Sequence, residues 1–472
     1  MKKTIAALFA FTLAAAAPLG AGAEEWTTMG PRAMGMGGAG VALSQGPLSS
    51  YWNPGALGRN SMDSYGGTIP VSIHAGITGS AIAGANDLKN ATNSCSGAGC
   101  QAQANTALKE LSNPSNGLRI DGSAGGNFKV GKIAVFANDF IDAGAVTRVD
   151  NTNTSLAAIE AGNNKSALIV KGAEILELGA GYGHELPIPG LYVGGDVKLM
   201  RAEVGYASQQ IISANNSGTG TGGSNFVNDL KSNAASSANV GVDAGALWDV
   251  NKTFENAWWS PRVGLVGRNL NNPKFTQAAS AIADGVTGRY AVNPQARLGL
   301  AISPFHWWNL AADLDLTRNL TPVDGVASRQ LDLGTEVNIF NRSWINIPIR
   351  VGMARNLETG TNMVTAGTGL NFLHLIVNVS GEASPKMVDT QTQGQSKSIP
   401  EELGASFSLS LLFGGSDEER GPSKPAIEVT PTPAAAPGTS GSNDLPPSQV
   451  DQVRKNAAAS QQDMNNEAGK PR

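Results

Sequence analysis

Along most of this chain, segments of about ten residues alternate apolar and polar positions, the pattern of a strand with one face in lipid and the other turned inward. The run from Leu403 to Phe413 is the clearest. There Ala405, Phe407, Leu409, Leu411 and Phe413 share one face, and Ser406, Ser408 and Ser410 share the other. In 306–317, Trp308, Leu310, Ala312, Leu314 and Leu316 oppose Asn309, Asp313 and Asp315. In 330–340, Leu331, Leu333, Val337 and Ile339 oppose Asp332, Glu336 and Asn338. In 345–357, Ile345, Ile347, Ile349, Val351 and Met353 oppose Asn346, Arg350 and Asn356. The other expected strands are 66–74, 118–130, 132–150, 171–185, 190–206, 238–250, 261–270, 294–303, 362–372 and 374–383. Together with 306–317, 330–340, 345–357 and 402–413 they make about fourteen, an even number, as in single-chain bacterial barrels.

The connections alternate in length. Gly131-Lys132, Leu186 to Pro189, Asn251 to Ser260, Pro304-Phe305, Asn341 to Trp344 and Leu373 form a short set. The alternate set is 75–117, 151–170, 207–237, 271–293, 318–329 and 384–401, with only Glu358 to Thr361 brief. Short periplasmic turns and long outer loops are the asymmetry of outer-membrane barrels, and a soluble sandwich has no reason to sort its loops by parity. Trp258, Trp259, Trp307, Trp308 and Trp344, with Phe305, Phe340, Phe372 and Phe413, fall at the short-turn end, where amphipathic rings form an interfacial girdle.

The ends differ from the middle. Lys2-Lys3, an apolar stretch to Pro18 and the small residues Ala21-Gly22-Ala23 form a secretory leader, with cleavage expected after Ala23. Residues 414–472 carry Pro, Ala, Ser, Asn and charges with almost no bulky apolar side chain, so they cannot bury enough surface to fold. The expected fold is therefore all-β: a leader (1–23), a plug (24–65), an antiparallel transmembrane barrel (66–413) and a disordered periplasmic tail (414–472). The 58 glycines, the 15% charged residues and the net charge of −4 fit this class and leave no footprint for nucleic acid. The two cysteines, Cys95 and Cys100, lie close together in an outer loop and can close a small disulfide ring in an oxidising compartment, or stay as thiols.

The plug segment contains Arg32-Ala-Met-Gly35-Met-Gly37-Gly38-Ala and, further on, Tyr51-Trp52-Asn53-Pro54-Gly55-Ala56-Leu57. Gly35, Gly37 and Gly40 spell a dinucleotide-binding GxGxxG, but no strand precedes it and no βαβ unit surrounds it. Close backbone approach in a confined space explains the glycines better, and Asn53-Pro54 reads as a fixed turn. These two runs resemble the hatch of the FadL-type (TodX-like) outer-membrane barrels. The pieces Pro189 to Lys198, Val263 to Leu270, Ala311 to Thr317 and Leu333 to Val337 are closer to the TraF-like proteins of plasmid-transfer operons. Gly55 departs from the FadL-type pattern, which usually has Ala after Asn-Pro. The resemblance implies fourteen strands with an N-terminal plug, and passive passage of small hydrophobic compounds across the outer membrane. The alternative is a docking component of an envelope apparatus such as conjugal transfer, reaching an envelope protein through the tail.

No catalytic constellation is present: there is no GxSxG and no HExxH, and His74, His184, His306 and His374 are scattered. No enzyme activity, cofactor or metal is expected. The informative polar residues are Asp313, Asp315, Asp332, Glu336 and Arg350, which share an inward facing on three adjacent strands. They form either a structural ion network that holds the plug or a selectivity lining. In 132–150, Asp139 and Asp142 have opposite parity, so one carboxylate must face lipid unless a bulge near Asn138 re-aims it or the pair lies above the membrane. The FadL-type resemblance makes such a bulge a counterpart of the kinked third strand through which apolar ligands leave sideways.

Overall fold

The computed structural model describes residues 25–59, 64–79, 81–93, 95, 97, 99–113, 116–211, 230–254, 257–340, 344–392 and 395–413. The leader and the tail expected at 1–23 and 414–472 lie outside the described residues.

Fourteen antiparallel strands close into one barrel. They are β1 Tyr65–Thr78, β2 Gly117–Val130, β3 Ile133–Arg148, β4 Ala167–Glu185, β5 Leu191–Gln210, β6 Ala235–Asp249 and β7 Arg262–Arg268. The second half is β8 Gln295–Phe305, β9 Trp308–Asp315, β10 Gln330–Asn338, β11 Pro348–Asn356 (preceded by the short piece Ile345–Asn346), β12 Asn362–Phe372, β13 Leu375–Ala383 and β14 Glu402–Phe413. Each strand pairs with the next, and β14 returns to β1 from Tyr65↔Phe413 to Gly76↔Glu402, so the sheet has no terminal edge. Closure of this kind satisfies the backbone of a wall that lipid cannot hydrogen-bond.

Every strand expected from the alternation is present, with the expected facing. On β14, Phe407, Leu409 and Leu411 are exposed on the outer wall while Ser406, Ser408 and Ser410 are buried inside. On β9 and β10, Asp313, Asp315, Asp332 and Glu336 are buried inward. Trp258, Trp259, Phe305, Phe340, Trp344, Phe372 and Phe413 are exposed around the short-turn end.

Two local features differ from expectation. β3 carries no bulge: its register is unbroken from Ile133 to Arg148 against both β2 and β4. Asn138 points inward, where its amide exchanges hydrogen bonds of 2.8 and 3.2 Å with that of Asn127, and Asp142 is buried on the same face. Asp139 stays on the outward face, next to Glu174 of β4. The reason is that the ladder and the Asn127–Asn138 pair fix the inward register, and Asp139 joins Glu174 and Glu203 on the outward face of this end of the strands. The wall is interrupted elsewhere. β6 pairs with β7 only over Ala244 to Asp249. Beyond that, the Leu270 N–H donates to Val242 O at 2.9 Å, and the Asn271 side chain bonds Val240 O and Val242 N–H at 2.6 and 3.0 Å. Asn269 and Asn272, both at positive φ, turn the chain away at this point.

Candidate functional site: the plugged lumen

Residues 25–59 run through the barrel interior. Near the outer half, Glu25 forms an ion pair with Arg119 of β2. At the other end, an added Cβ on Gly58 would lie 2.9 Å from the backbone of His184, beside the short turn after β4. Between these points the segment forms short helical turns, Pro31–Gly35, Ser49–Trp52 and Pro54–Gly58. Its aromatic residues Trp26, Tyr51 and Trp52 pack with Met29, Val41 and the wall residues Phe140 and Val266. The Trp52 indole N–H donates to Met29 O at 3.0 Å, and the Tyr51 hydroxyl donates to Thr27 O.

The glycines are where backbone meets wall. Gly37 has φ +73°, and a Cβ there would sit 2.4 Å from Met353 O, so only glycine combines that conformation with that contact. Gly38, at φ +99°, has the Asp332 carboxylate 2.7 Å from the same position, and Gly35 abuts Arg350 and Gly367. Asn53 is fully buried; its Oδ1 accepts from Gly55 N–H at 3.0 Å and its Nδ2 donates to Ala246 O at 2.9 Å, which starts the Pro54–Gly58 turn and ties it to β6. Gly55 in place of alanine has a local cause, since a Cβ there would lie 2.9 Å from Ala246 Cα.

The five lumen residues named from sequence come together with plug groups. Glu336 is a bridge: Arg32 of the plug donates to it at 2.8 and 3.0 Å, and Arg350 of β11 donates at 2.7 Å. Arg350 also reaches Asn378 at 2.9 Å. Asp313 and Asp332 stand directly opposite each other across β9 and β10, an arrangement that is repulsive alone. Two groups resolve it. Asp313 accepts the backbone N–H groups of Gly40 and Val41 at 2.8 and 2.9 Å. Arg297 of β8, itself 1% exposed, spans Asp315 at 2.6 Å and Asp332 at 3.1 Å.

Replacing Arg350 by Ala should therefore leave Glu336 with Arg32 and the Asn309 amide, and the Asn378 oxygen without its donor. We expect a loss of about 3 kcal/mol, read as a lower urea midpoint of the detergent-solubilised protein. A midpoint unchanged within error would show that the bridge contributes nothing.

Arg297 was missed in the sequence, as were two further clusters. Lys198, with no side-chain exposure, sits 2.9 Å from both Glu177 and Asp243, and Arg268 lies 3.6 and 3.8 Å from the same carboxylates. The Arg268 guanidinium also stacks over Tyr51, 4.1 Å from the ring centre, which fixes a plug aromatic by a cation–π contact. On the opposite wall, His74 Nδ1 is 2.9 Å from Asp121, and Arg119 is 3.6 Å from Asp121 and 3.9 Å from Glu402. Between residues 25–28 and this wall is a cavity of about 50 Å³. Inward parity on β1, β2, β4 to β8 and β14 would have flagged these side chains, but not which of them meet.

Cys95 and Cys100 are joined, with Cα atoms 5.6 Å apart, beside the helix pair Ala81–Asn93 and Cys100–Leu111 in the loop between β1 and β2. Among the described residues, no group of His, Cys, Asp and Glu is arranged to hold a metal ion.

The chain matches the family model described as F plasmid transfer operon, TraF, protein over residues 50–315. Among solved structures it is similar to the Ralstonia pickettii toluene transporter TbuX, at 13% identity and TM-score 0.44, over 82% of this chain and 98% of that one. A Pseudomonas aeruginosa FadL homologue is similar at 12% identity and TM-score 0.43, over 83% and 99%. The Pseudomonas putida toluene transporter TodX is similar at 12% identity and TM-score 0.42, over 81% and 97%. No curated protein matches the chain.

Proposed function

Because this chain belongs to the family of F plasmid transfer operon TraF proteins, an outer-membrane β-barrel with residues 25–59 in its lumen, we propose that it is a closed passage for small solutes that opens when that segment leaves its seat. The observation that carries this reading is how the plug is held. It crosses the lumen and is fixed by hydrogen bonds and ion pairs to β2, β6, β9, β10 and β12, contacts that can be exchanged for water without breaking the wall. The passage is passive, since a lumen of this kind needs only the gradient of the solute.

A small hydrophobic compound is the first solute to test. Inward Ile175, Met200, Ala202 and Val204 form an apolar patch, covered by Phe275 and Val292 of the loop between β7 and β8. Cells carrying the full chain should take up a small aromatic hydrocarbon faster than cells lacking it, with the protein in the outer-membrane fraction. Equal uptake at equal expression would remove the hydrophobic solute from the proposal.

A second reading, a docking component of a transfer apparatus, is favoured by the family match itself and by the composition of 414–472. Removing 414–472 should then abolish capture of envelope proteins by the tagged barrel while leaving solute flux intact. Capture that survives the truncation would sink a docking role for the tail.

A further inference from the structure

The cavity beside residues 25–28 is unlike the apolar patch. Its lining holds five carboxylates, those of Glu25, Asp121, Asp332, Glu382 and Glu402. Against them stand Arg119, Arg297 and His74. Even with His74 counted as a cation, five acids face three bases, an excess of two negative charges in a confined space where carboxylates are costly unless paired. The bases are also committed. Arg297 is held by Asp315 and Asp332, and Arg119 by Glu25 with Asp121 and Glu402 nearby. His74 lies 2.9 Å from Asp121 and 3.8 Å from Glu402. Glu382 is the least engaged of the five: among the described residues it has no hydrogen bond and no cation within 4 Å, His74 and Arg119 acting on it only from further off.

A second, independent observation comes from Trp26. It lines the same cavity, is 3% exposed, and its indole N–H has no hydrogen-bond partner. Buried indole N–H groups ordinarily find an acceptor. The cavity is thus lined by a plug indole whose N–H lacks an acceptor and by a β13 carboxylate with no cation within 4 Å, between walls that carry more acids than bases.

We infer that this cavity binds a small organic cation, a primary ammonium paired with Glu382, in a molecule whose polar acceptor meets the Trp26 N–H. An ammonium supplies the missing positive charge and three donors, and Glu382 and Glu402 lie across the β13–β14 ladder within reach of one such group, Glu382 being paired with Gly404 in register. The occupant would rest against residues 25–28, so binding would also bear on how the plug sits.

The test uses three compounds of one shape on the full chain in detergent micelles: tyramine, its neutral alcohol tyrosol, and the anion 4-hydroxyphenylacetate. Titration calorimetry should show saturable tyramine binding, with the alcohol and the acid weaker by about tenfold or more. Glu382→Gln should weaken tyramine by about tenfold and leave tyrosol unchanged. Tyrosol binding as tightly as tyramine, absence of saturable tyramine binding, or an unchanged Glu382→Gln would each overturn the inference. If Glu382→Gln fails to fold, the three-compound comparison on the unaltered chain decides alone. The inference rests on the closed-passage reading only for the route by which a ligand arrives. Tyramine binding without flux in vesicles would remove the passage and leave the site; flux without tyramine binding would remove the site and leave the passage.

Discussion

Replacing Arg297 by Met should lower the stability of the folded barrel by about 3–5 kcal/mol, the range for removing one partner of a buried ion pair. Arg297 has Asp315 at 2.6 Å and Asp332 at 3.1 Å, and Asp313 stands opposite Asp332. Without the guanidinium, three carboxylates on two adjacent strands face one another, with the Gly40 and Val41 N–H groups on Asp313 and the Gln330 N–H and Asn319 amide on Asp315, but no cation. The substitution also removes a cation 4.7 Å from the centre of the Trp26 ring, so the plug loosens together with the wall. Arg297→Lys should recover only part of the loss, since an ammonium cannot span two carboxylates as a planar fork does. Adding Asp332→Asn to Arg297→Met should recover more. The urea midpoint and the heat-dependent gel mobility of the barrel check this; an Arg297→Met protein as stable as the unaltered chain would show that the cluster is hydrated and uncoupled.

Deleting residues 30–57 should have the larger effect on permeability and a small one on stability. The fourteen-strand ladder involves none of these residues. The wall groups that lose plug partners keep others: Glu336 retains Arg350, and Arg297 retains Asp315 and Asp332. Asp313 loses two backbone donors but gains water as the lumen fills. Efflux of trapped sucrose from proteoliposomes should then rise by about tenfold or more over the full chain, because the obstruction rather than the wall limits passage. Equal efflux from the two proteins would mean that the plug is not the barrier.

Much of this architecture was readable in the chain because a transmembrane barrel imposes its rules locally. Alternation gave each strand and its facing: Ser406, Ser408 and Ser410 could only point inward once Phe407, Leu409 and Leu411 met lipid. Loop parity gave the ends. The crowding of Gly35, Gly37 and Gly38 gave a confined segment, although not its partners at Met353, Asp332 and Arg350. What local rules do not carry is who meets whom across the lumen. Asp313 and Asp332 were known to face inward, but their being directly opposite depends on register, and the remedy, Arg297, comes from a third strand. Arg119, Arg268 and Lys198 were equally inward by parity, yet their meaning appears only when plug aromatics and acids from distant strands converge. Of the two readings of Asp139 and Asp142, the bulge fails because the Asn127–Asn138 pair and a continuous ladder hold the register, and parity alone could not choose between a bulge and a position above the membrane. The interruption beyond Ala244 on β6 had no signature in loop length, since the segment after β7 looks like any other outer loop.

That the N-terminal segment is a separable plug is tested most directly in planar bilayers, with the barrel lacking residues 30–57 and a peptide of residues 25–59 added back. The expected result is open channels that close saturably as peptide is added, and no closure by a peptide in which Gly37 is replaced by Val. Open channels that ignore the peptide, or a full-length chain that conducts as freely as the deleted one, would contradict it.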